Sequence, residues 1–328
     1  ISRLGFGGIP IQRIDAAGTK VLMHNLLEAG VNYIDTARGY TVSESYLGEA
    51  LEGIREHFVI ATKSMSRTKE AMAADIDISL ANLRTNYIDL YQVHNPTPAD
   101  IDQVCAPGGA LEALLEAKAA GKIGHIGLTS HSLDTFKMAL DLPWVETIMF
   151  PYNIVENQGE KEIRACREKN IGFVCMKPLA GGAIEDASVA LRYVCADPDV
   201  TVVIPGMADP KEVEDALFEI VLGKYRDACD VDSAAWLADP AFYEDQYKTL
   251  NARYLRYFHE LSQFNFYYAR VDLNNDDREE LLIGSGWEGD IALIGLYTHD
   301  GVNQVANVLP DGGFVFANGT FLAMPVEG

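Results

Sequence analysis

Val31-Asn32-Tyr33-Ile34-Asp35-Thr36-Ala37-Arg38-Gly39-Tyr40 is an apolar run that stops on an acid and breaks into a turn. Two later stretches repeat the design: Phe58-Val59-Ile60-Ala61-Thr62 ends on Lys63, and Ile88-Asp89-Leu90-Tyr91-Gln92-Val93 ends on His94. Short apolar runs bounded by turn residues predict strands, and the segments between them carry helical spacing. Working outward, Leu4 to Gly8 predicts a first strand, and Ala16 to Ala29 predicts a helix stopped by Gly30. Helices are expected from Glu44 to Ile54 and from Thr68 to Leu83, with a strand opening at Tyr87. A longer loop carrying Pro96, Pro98 and Pro107 then leads to a helix near Ala110 to Ala120 and the run Ile123 to Leu128. Three more helix and strand pairs follow, at Leu133–Leu140 with Val145–Phe150, Glu160–Lys169 with Ile171–Met176, and Ser188–Cys195 with Val200–Ile204. Alternating units of this kind predict an α/β fold, a parallel sheet closed into a (β/α)8 TIM barrel. A doubly wound sheet would call for G-x-G-x-x-G after the first strand, and Gly5-Phe6-Gly7-Gly8 lacks that spacing.

In a closed barrel the carboxyl ends of the strands converge on one mouth, which brings Asp35, Tyr40, Lys63 and His94 together as a candidate catalytic centre. A tyrosine hydroxyl near its ordinary pKa of about 10 is a weak acid at neutral pH, and a neighbouring ammonium lowers that value by stabilising phenolate. Lys63 supplies the ammonium in this reading. Asp35 keeps the lysine charged and oriented, and His94 donates a hydrogen bond to a substrate oxygen. The set suits delivery of a proton to a carbonyl oxygen while hydride arrives at its carbon.

The words around these residues are specific: Asn32 to Tyr40, then Glu44 and Leu47-Gly48-Glu49-Ala50-Leu51, then Ala61-Thr62-Lys63 and Gln92-Val93-His94-Asn95. Together they resemble the aldo-keto reductase family over residues 2–222. The resemblance implies a barrel that binds a nicotinamide dinucleotide without a Rossmann domain, with Tyr40 as general acid, Lys63 and Asp35 tuning it, and His94 orienting a small-molecule carbonyl substrate. It also implies cofactor contacts. Thr129, Ser130 and Asn153 would meet the nicotinamide end, although Met149 stands where many members have a glutamine. Met176 replaces a ring-stacking aromatic, and a thioether also packs on a ring face. Met176-Lys177-Pro178-Leu179-Ala180-Gly181-Gly182 resembles a bacterial and archaeal branch; Lys177 is expected to meet the pyrophosphate, and Pro178, Leu179 and Gly181 are expected among the cofactor contacts. Some longer members of that branch carry a cysteine-rich iron-sulfur tail, which Cys229 alone cannot reproduce.

Pro205, Gly206, Met207 and Glu212 fall in the loop that meets the adenosine phosphate in the family. NADP-users commonly place Lys directly after that proline and Arg six residues later, and this sequence has Gly206 and Glu212. A carboxylate accepts hydrogen bonds from a ribose 2′-hydroxyl and repels a 2′-phosphate, so NADH is expected to serve at least as well as NADPH. Lys211 is the residue that could favour the phosphate.

Composition fits an enzyme of this size. The 328 residues are 48% hydrophobic, enough for a barrel of about 250 residues and a surplus. A net charge of −22 disfavours nucleic acid and anionic membranes. No apolar run approaches the roughly 20 residues of a membrane span. A cytoplasmic location is expected, and a chain starting at Ile1 leaves a removed leader open. Cys105, Cys166, Cys175, Cys195 and Cys229 never fall at C-x-x-C spacing, which predicts buried thiols and no metal site.

Beyond Gly223 the resemblance ends. Residues 223–328 predict a separate α+β extension: an acidic stretch, a tyrosine-rich amphipathic helix over Pro240 to Phe264, then short strands. Asp272-Leu273-Asn274-Asn275-Asp276-Asp277 has the alternating oxygens of a calcium loop, but Asp277 replaces its glycine and Ile283 its final glutamate, so an acidic turn is expected. Two other functions stay open: a non-catalytic nucleotide-binding regulatory subunit, and a calcium-dependent binding module in the extension.

Overall fold

The computed structural model describes residues 1–213 and 215–217 and, beyond them, the strand segments 265–271, 280–287, 290–297, 304–308, 313–316 and 321–323. The chain forms two compact units, Ile1–Val213 and Glu214–Gly328. The expected boundary at 222/223, the helix over 240–264, the acidic loop 272–277 and Cys229 lie outside the described residues.

The first unit is the barrel. Its strands are β1 (Phe6–Gly7), β2 (Tyr33–Asp35), β3 (Val59–Ser64), β4 (Ile88–Val93), β5 (Ile123–Thr129), β6 (Thr147–Pro151), β7 (Gly172–Met176) and β8 (Val202–Ile204). They pair in parallel in that order. Closure comes from parallel bridges of Leu4 to Val203 and Gly7 to Gly206, with Gly7 N–H donating to Pro205 O at 2.8 Å. The helices are α1 (Ala16–Glu28), α2 (Ser43–Ala50), α3 (Lys69–Asn82), α4 (Pro98–Cys105), α5 (Ala110–Ala119), α6 (Leu133–Ala139), α7 (Glu160–Glu168) and α8 (Ala187–Ala196). Several open on a side chain that satisfies an otherwise unpaired backbone N–H: Asp15 before α1, Thr68 before α3, Ser132 before α6 and Asp186 before α8.

Helix α4 corrects the expected loop. Thr97 and Asp100 form a reciprocal capping box, and Pro98 stands in the first turn, where a missing N–H costs nothing. The prolines read as loop markers, yet one of them starts a helix.

Alternation along the strands decides what faces the barrel axis. Tyr33, Ala61, Leu90, Met149, Val174, Val202 and Ile204 pack as one apolar cluster. Two residues further along the same strands stand Asp35, Lys63 and Gln92, and two beyond Gln92 is His94. The polar layer therefore rests directly on the hydrocarbon layer. Glycine is required where β1 passes this layer: a Cβ on Gly8 would come within 2.5 Å of the Asp35 carbonyl oxygen.

Thiol burial follows the expectation only in part. Cys166 and Cys175 are buried and Cys195 is partly so, whereas Cys105 ends α4 on the exposed side. Burial pushes the Cys166 thiol up to about 12, which makes it inert at neutral pH.

In the second unit, β9 (Asn265–Val271), β10 (Glu280–Trp287), β11 (Asp290–Tyr297), β12 (Gln304–Val308), β13 (Gly313–Phe316) and β14 (Phe321–Ala323) form an antiparallel meander with sequential neighbours. Among the described residues no helix is long and apolar enough to cross a membrane.

Candidate active site

The four residues expected to converge do so. Asp35 ends β2, Lys63 lies one residue before the end of β3, His94 follows β4, and Tyr40 stands on the loop between β2 and α2. All four line one cavity of about 380 Å³ at the carboxyl ends of the strands.

Lys63 is the hub. Its ammonium donates to Asp35 Oδ2 at 2.5 Å and to the Thr36 carbonyl at 2.8 Å, and both charged side chains are almost fully buried. The same nitrogen lies 5.0 Å from the centre of the Tyr40 ring. Burial pushes the two partners toward neutrality, Asp35 upward and Lys63 downward, and their mutual attraction opposes this. The Gln92 amide stands close enough to favour the Asp35 carboxylate without completing a hydrogen bond of good geometry.

Tyr40 differs from the expectation. Burial first, and then the nearby Asp35 carboxylate, push its hydroxyl above the ordinary tyrosine value. Lys63 is held by Asp35 and Thr36 with its nitrogen beside the Tyr40 ring. Tyr40 therefore stands as a protonated donor throughout the physiological range.

The His94 ring meets the Tyr40 ring edge-on, with centroids 6.3 Å apart. Its backbone is fixed at both ends: His94 N–H donates to Ser64 O, and Arg67 donates to His94 O at 2.9 Å. Burial first, then the cations Lys63, Arg67 and His131, bring its imidazole down to about 4. A histidine with a lowered folded pKa contributes its stability above the unfolded value and loses it as pH falls through the folded one. His94 should accordingly remain neutral between about pH 5 and 8. Imidazole NMR signals that stay flat over that range would bear this out, and a His94 midpoint near the ordinary value of 6.5 would contradict it.

Of the residues expected at a cofactor, Thr129, Met176, Lys177, Pro178, Leu179, Gly181, Pro205 and Gly206 line the same cavity. Ser130, Asn153, Met207 and Glu212 do not. The Ser130 hydroxyl donates to Ser132 O and accepts from Ser132 N–H. The Asn153 amide donates to Lys177 O and Glu156 and accepts from the N–H groups of Val155 and Glu156, so it shapes the loop after β6. Met207 is buried, and Glu212 accepts from Ala208 N–H at the start of the next helical turn.

Sequence reasoning missed the part of the wall made by Gly7, Gly8, Ile9 and Pro10, which adjoins Pro205 and Gly206, and also His131. The available signals were the paired glycines after β1 and the position of His131 beside Thr129 and Ser130.

The cavity suits a dinucleotide on its own chemistry. Lys177 offers a cation for a pyrophosphate. Gly181 and Gly182 have positive φ, and a Cβ on either would meet nothing within 4 Å, which leaves room beside the backbone. Met149 and Met176 supply polarisable apolar surface for a ring.

Comparison with known proteins points the same way. The profile of the aldo/keto reductase family matches residues 3–188. An uncharacterized oxidoreductase of Schizosaccharomyces pombe is 29% identical over 61% of this chain and 70% of its own length. Aldo-keto reductase YhdN of Bacillus subtilis is 32% identical over 49% of this chain, which spans about half, 53%, of that relative. Among solved structures, an aldo-keto reductase from Bacillus halodurans in its holo form superposes with a TM-score of 0.61 at 27% identity, covering 67% of this chain and 87% of its own.

Proposed function

The chain belongs to the aldo/keto reductase family of NAD(P)H-using oxidoreductases, and from that premise we propose that it reduces an aldehyde or ketone to an alcohol with Tyr40 as the proton donor. One observation carries the reading: a buried Lys63–Asp35 pair stands against Tyr40, with His94 beside it, in a single cavity.

A bound dihydronicotinamide supplies the hydride. Thr129, Met176 and Lys177, with Pro178, Leu179, Gly181, Pro205 and Gly206, hold the cofactor along the cavity wall. Neutral His94 donates one N–H to the carbonyl oxygen and fixes its direction. Tyr40 gives its proton to that oxygen as negative charge grows there. The phenolate that remains is the species an ammonium stabilises, and Lys63, anchored by Asp35 and Thr36, is next to it. A tyrosine pushed up by burial is a reluctant acid on its own. The lysine acts on the ionised product of the transfer and draws the proton away as the transfer proceeds.

Titration with NADH and NADPH, followed by a panel of small carbonyl compounds, tests the reading. Absence of binding to either nucleotide would remove it. Glu212 makes the comparison informative: its carboxylate, in the helical turn that follows Gly206, is expected near the adenosine ribose and would favour a free 2′-hydroxyl over a 2′-phosphate. The expected result is kcat/KM with NADH at least equal to that with NADPH. A preference for NADPH above about tenfold, roughly 1.4 kcal/mol, would refute it.

A further inference from the structure

Four residues between Asp35 and Tyr40 form the loop that presents the acid. Its start is tied to β3 by Thr36 N–H donating to Ala61 O, while the turn that carries Tyr40 closes on itself, Tyr40 N–H to Ala37 O and Ser43 N–H to Tyr40 O. What holds the middle of the loop therefore bears on the height of Tyr40 over Lys63. Arg38, near the middle of this loop, donates its backbone N–H to Lys63 O at 3.0 Å. Its guanidinium reaches Glu44 Oε2 at 2.7 Å and Asp75 Oδ1 at 3.5 Å.

Each of those carboxylates is tied to a residue next to Lys63. Glu44, 1% exposed, accepts from the Thr62 hydroxyl at 2.8 Å and from Ser79 and Asn82 of α3. Asp75 accepts from the hydroxyls of Ser64 and Ser66. Arg38 is thus bound to residues 62, 63 and 64 in succession, two of them through carboxylates on separate helices. Ser79 also contacts the Tyr91 hydroxyl, which extends the cluster to the strand that leads to His94. Burying a carboxylate is costly unless it is fully paired, and pairing it with any cation would suffice for folding alone. Here every partner of the clamp borders the reacting groups or anchors the helix beneath them.

We propose that Arg38, clamped between Glu44 and Asp75, is a positioning residue that sets the placement of Tyr40 relative to Lys63. The proposal rests on the carbonyl-reductase reading for its kinetic part. A displacement of about 1 Å at a reacting group costs on the order of 100-fold in rate.

The test compares wild type with Arg38→Met, Tyr40→Phe and the double variant in kcat, carbonyl KM and NADH affinity. Arg38→Met should lower kcat by about 10- to 100-fold with KM and cofactor affinity within about threefold. In the Tyr40→Phe background it should cost nothing further, because Arg38 acts through Tyr40. An equal loss in both backgrounds, or an unchanged kcat, overturns the proposal. If Arg38→Met does not fold, Asp75→Asn weakens the same clamp from its more exposed side; a smaller kcat loss that also vanishes with Tyr40→Phe supports the proposal, and unchanged kcat overturns it. Hydrogen exchange of residues 36–43 needs no substrate and separates the two failures. If wild type reduces no carbonyl, faster exchange confined to this loop in Arg38→Met still supports the clamp, and unaltered exchange overturns it.

Discussion

Tyr40→Phe is expected to lower kcat for carbonyl reduction by about 10²- to 10⁴-fold, the range a positioned general acid contributes. NADH affinity should be unchanged, because only a hydroxyl is lost and the ring remains against the Lys63 ammonium. The rest of the centre can still polarise a carbonyl. His94 keeps its N–H, and Lys63 keeps its charge through Asp35 and Thr36. What disappears is the proposed donor, whose ring the ammonium faces. Single-turnover rates of NADH oxidation with a carbonyl substrate, alongside a cofactor binding isotherm, check this. Retained turnover with unchanged affinity would remove Tyr40 as the acid.

Replacing Lys63 by Met should remove turnover and also cost about 3–5 kcal/mol of stability near neutral pH, the usual penalty for deleting one partner of a buried pair. The pH dependence identifies the cause. Asp35 is already pushed up by burial, and Lys63 is the strongest influence holding it down, so its folded pKa climbs further in the variant. A carboxyl whose folded pKa exceeds its unfolded value contributes stability in full below the unfolded value and loses it as pH rises through the folded one. The gap between variant and wild type should therefore widen from about pH 4 to about pH 8. Urea melts at the two extremes measure it, and a gap of equal size at both would mean that the loss is one of packing rather than of countercharge.

The barrel and its four polar residues were legible because both signals are local. Period-two alternation followed by a turn names a strand, and the last inward residue of a strand names a candidate for the mouth. Helix α4 was missed since Pro98 reads as a breaker until the Thr97–Asp100 cap is considered. The burial that raises the Tyr40 hydroxyl and the bond between Lys63 and Asp35 depend on contacts across the barrel, which no local signal in the sequence carries. Ser130 and Asn153 look like ligand groups in sequence, and the structure engages them in their own loops. Glu44 could be quoted as part of a specific word but given no role, for its partners lie 6, 18, 35 and 38 residues away. Residues 223–328 had no resemblance to lean on.

The seam between β1 and β8 has a consequence for how the protein comes into being. Gly7 meets Gly206, and the cavity wall is shared between residues 7–10 and residues 176–206. The two sides of the wall leave the ribosome about 170–200 residues apart, roughly 10–40 s at ordinary rates of synthesis. Through that interval the residues of one side of the wall have emerged without those of the other. A nucleotide therefore cannot reward a half-made barrel, and its stabilisation by mass action falls on the closed chain alone. Binding in this cavity is open only to molecules that have joined their first strand to their last.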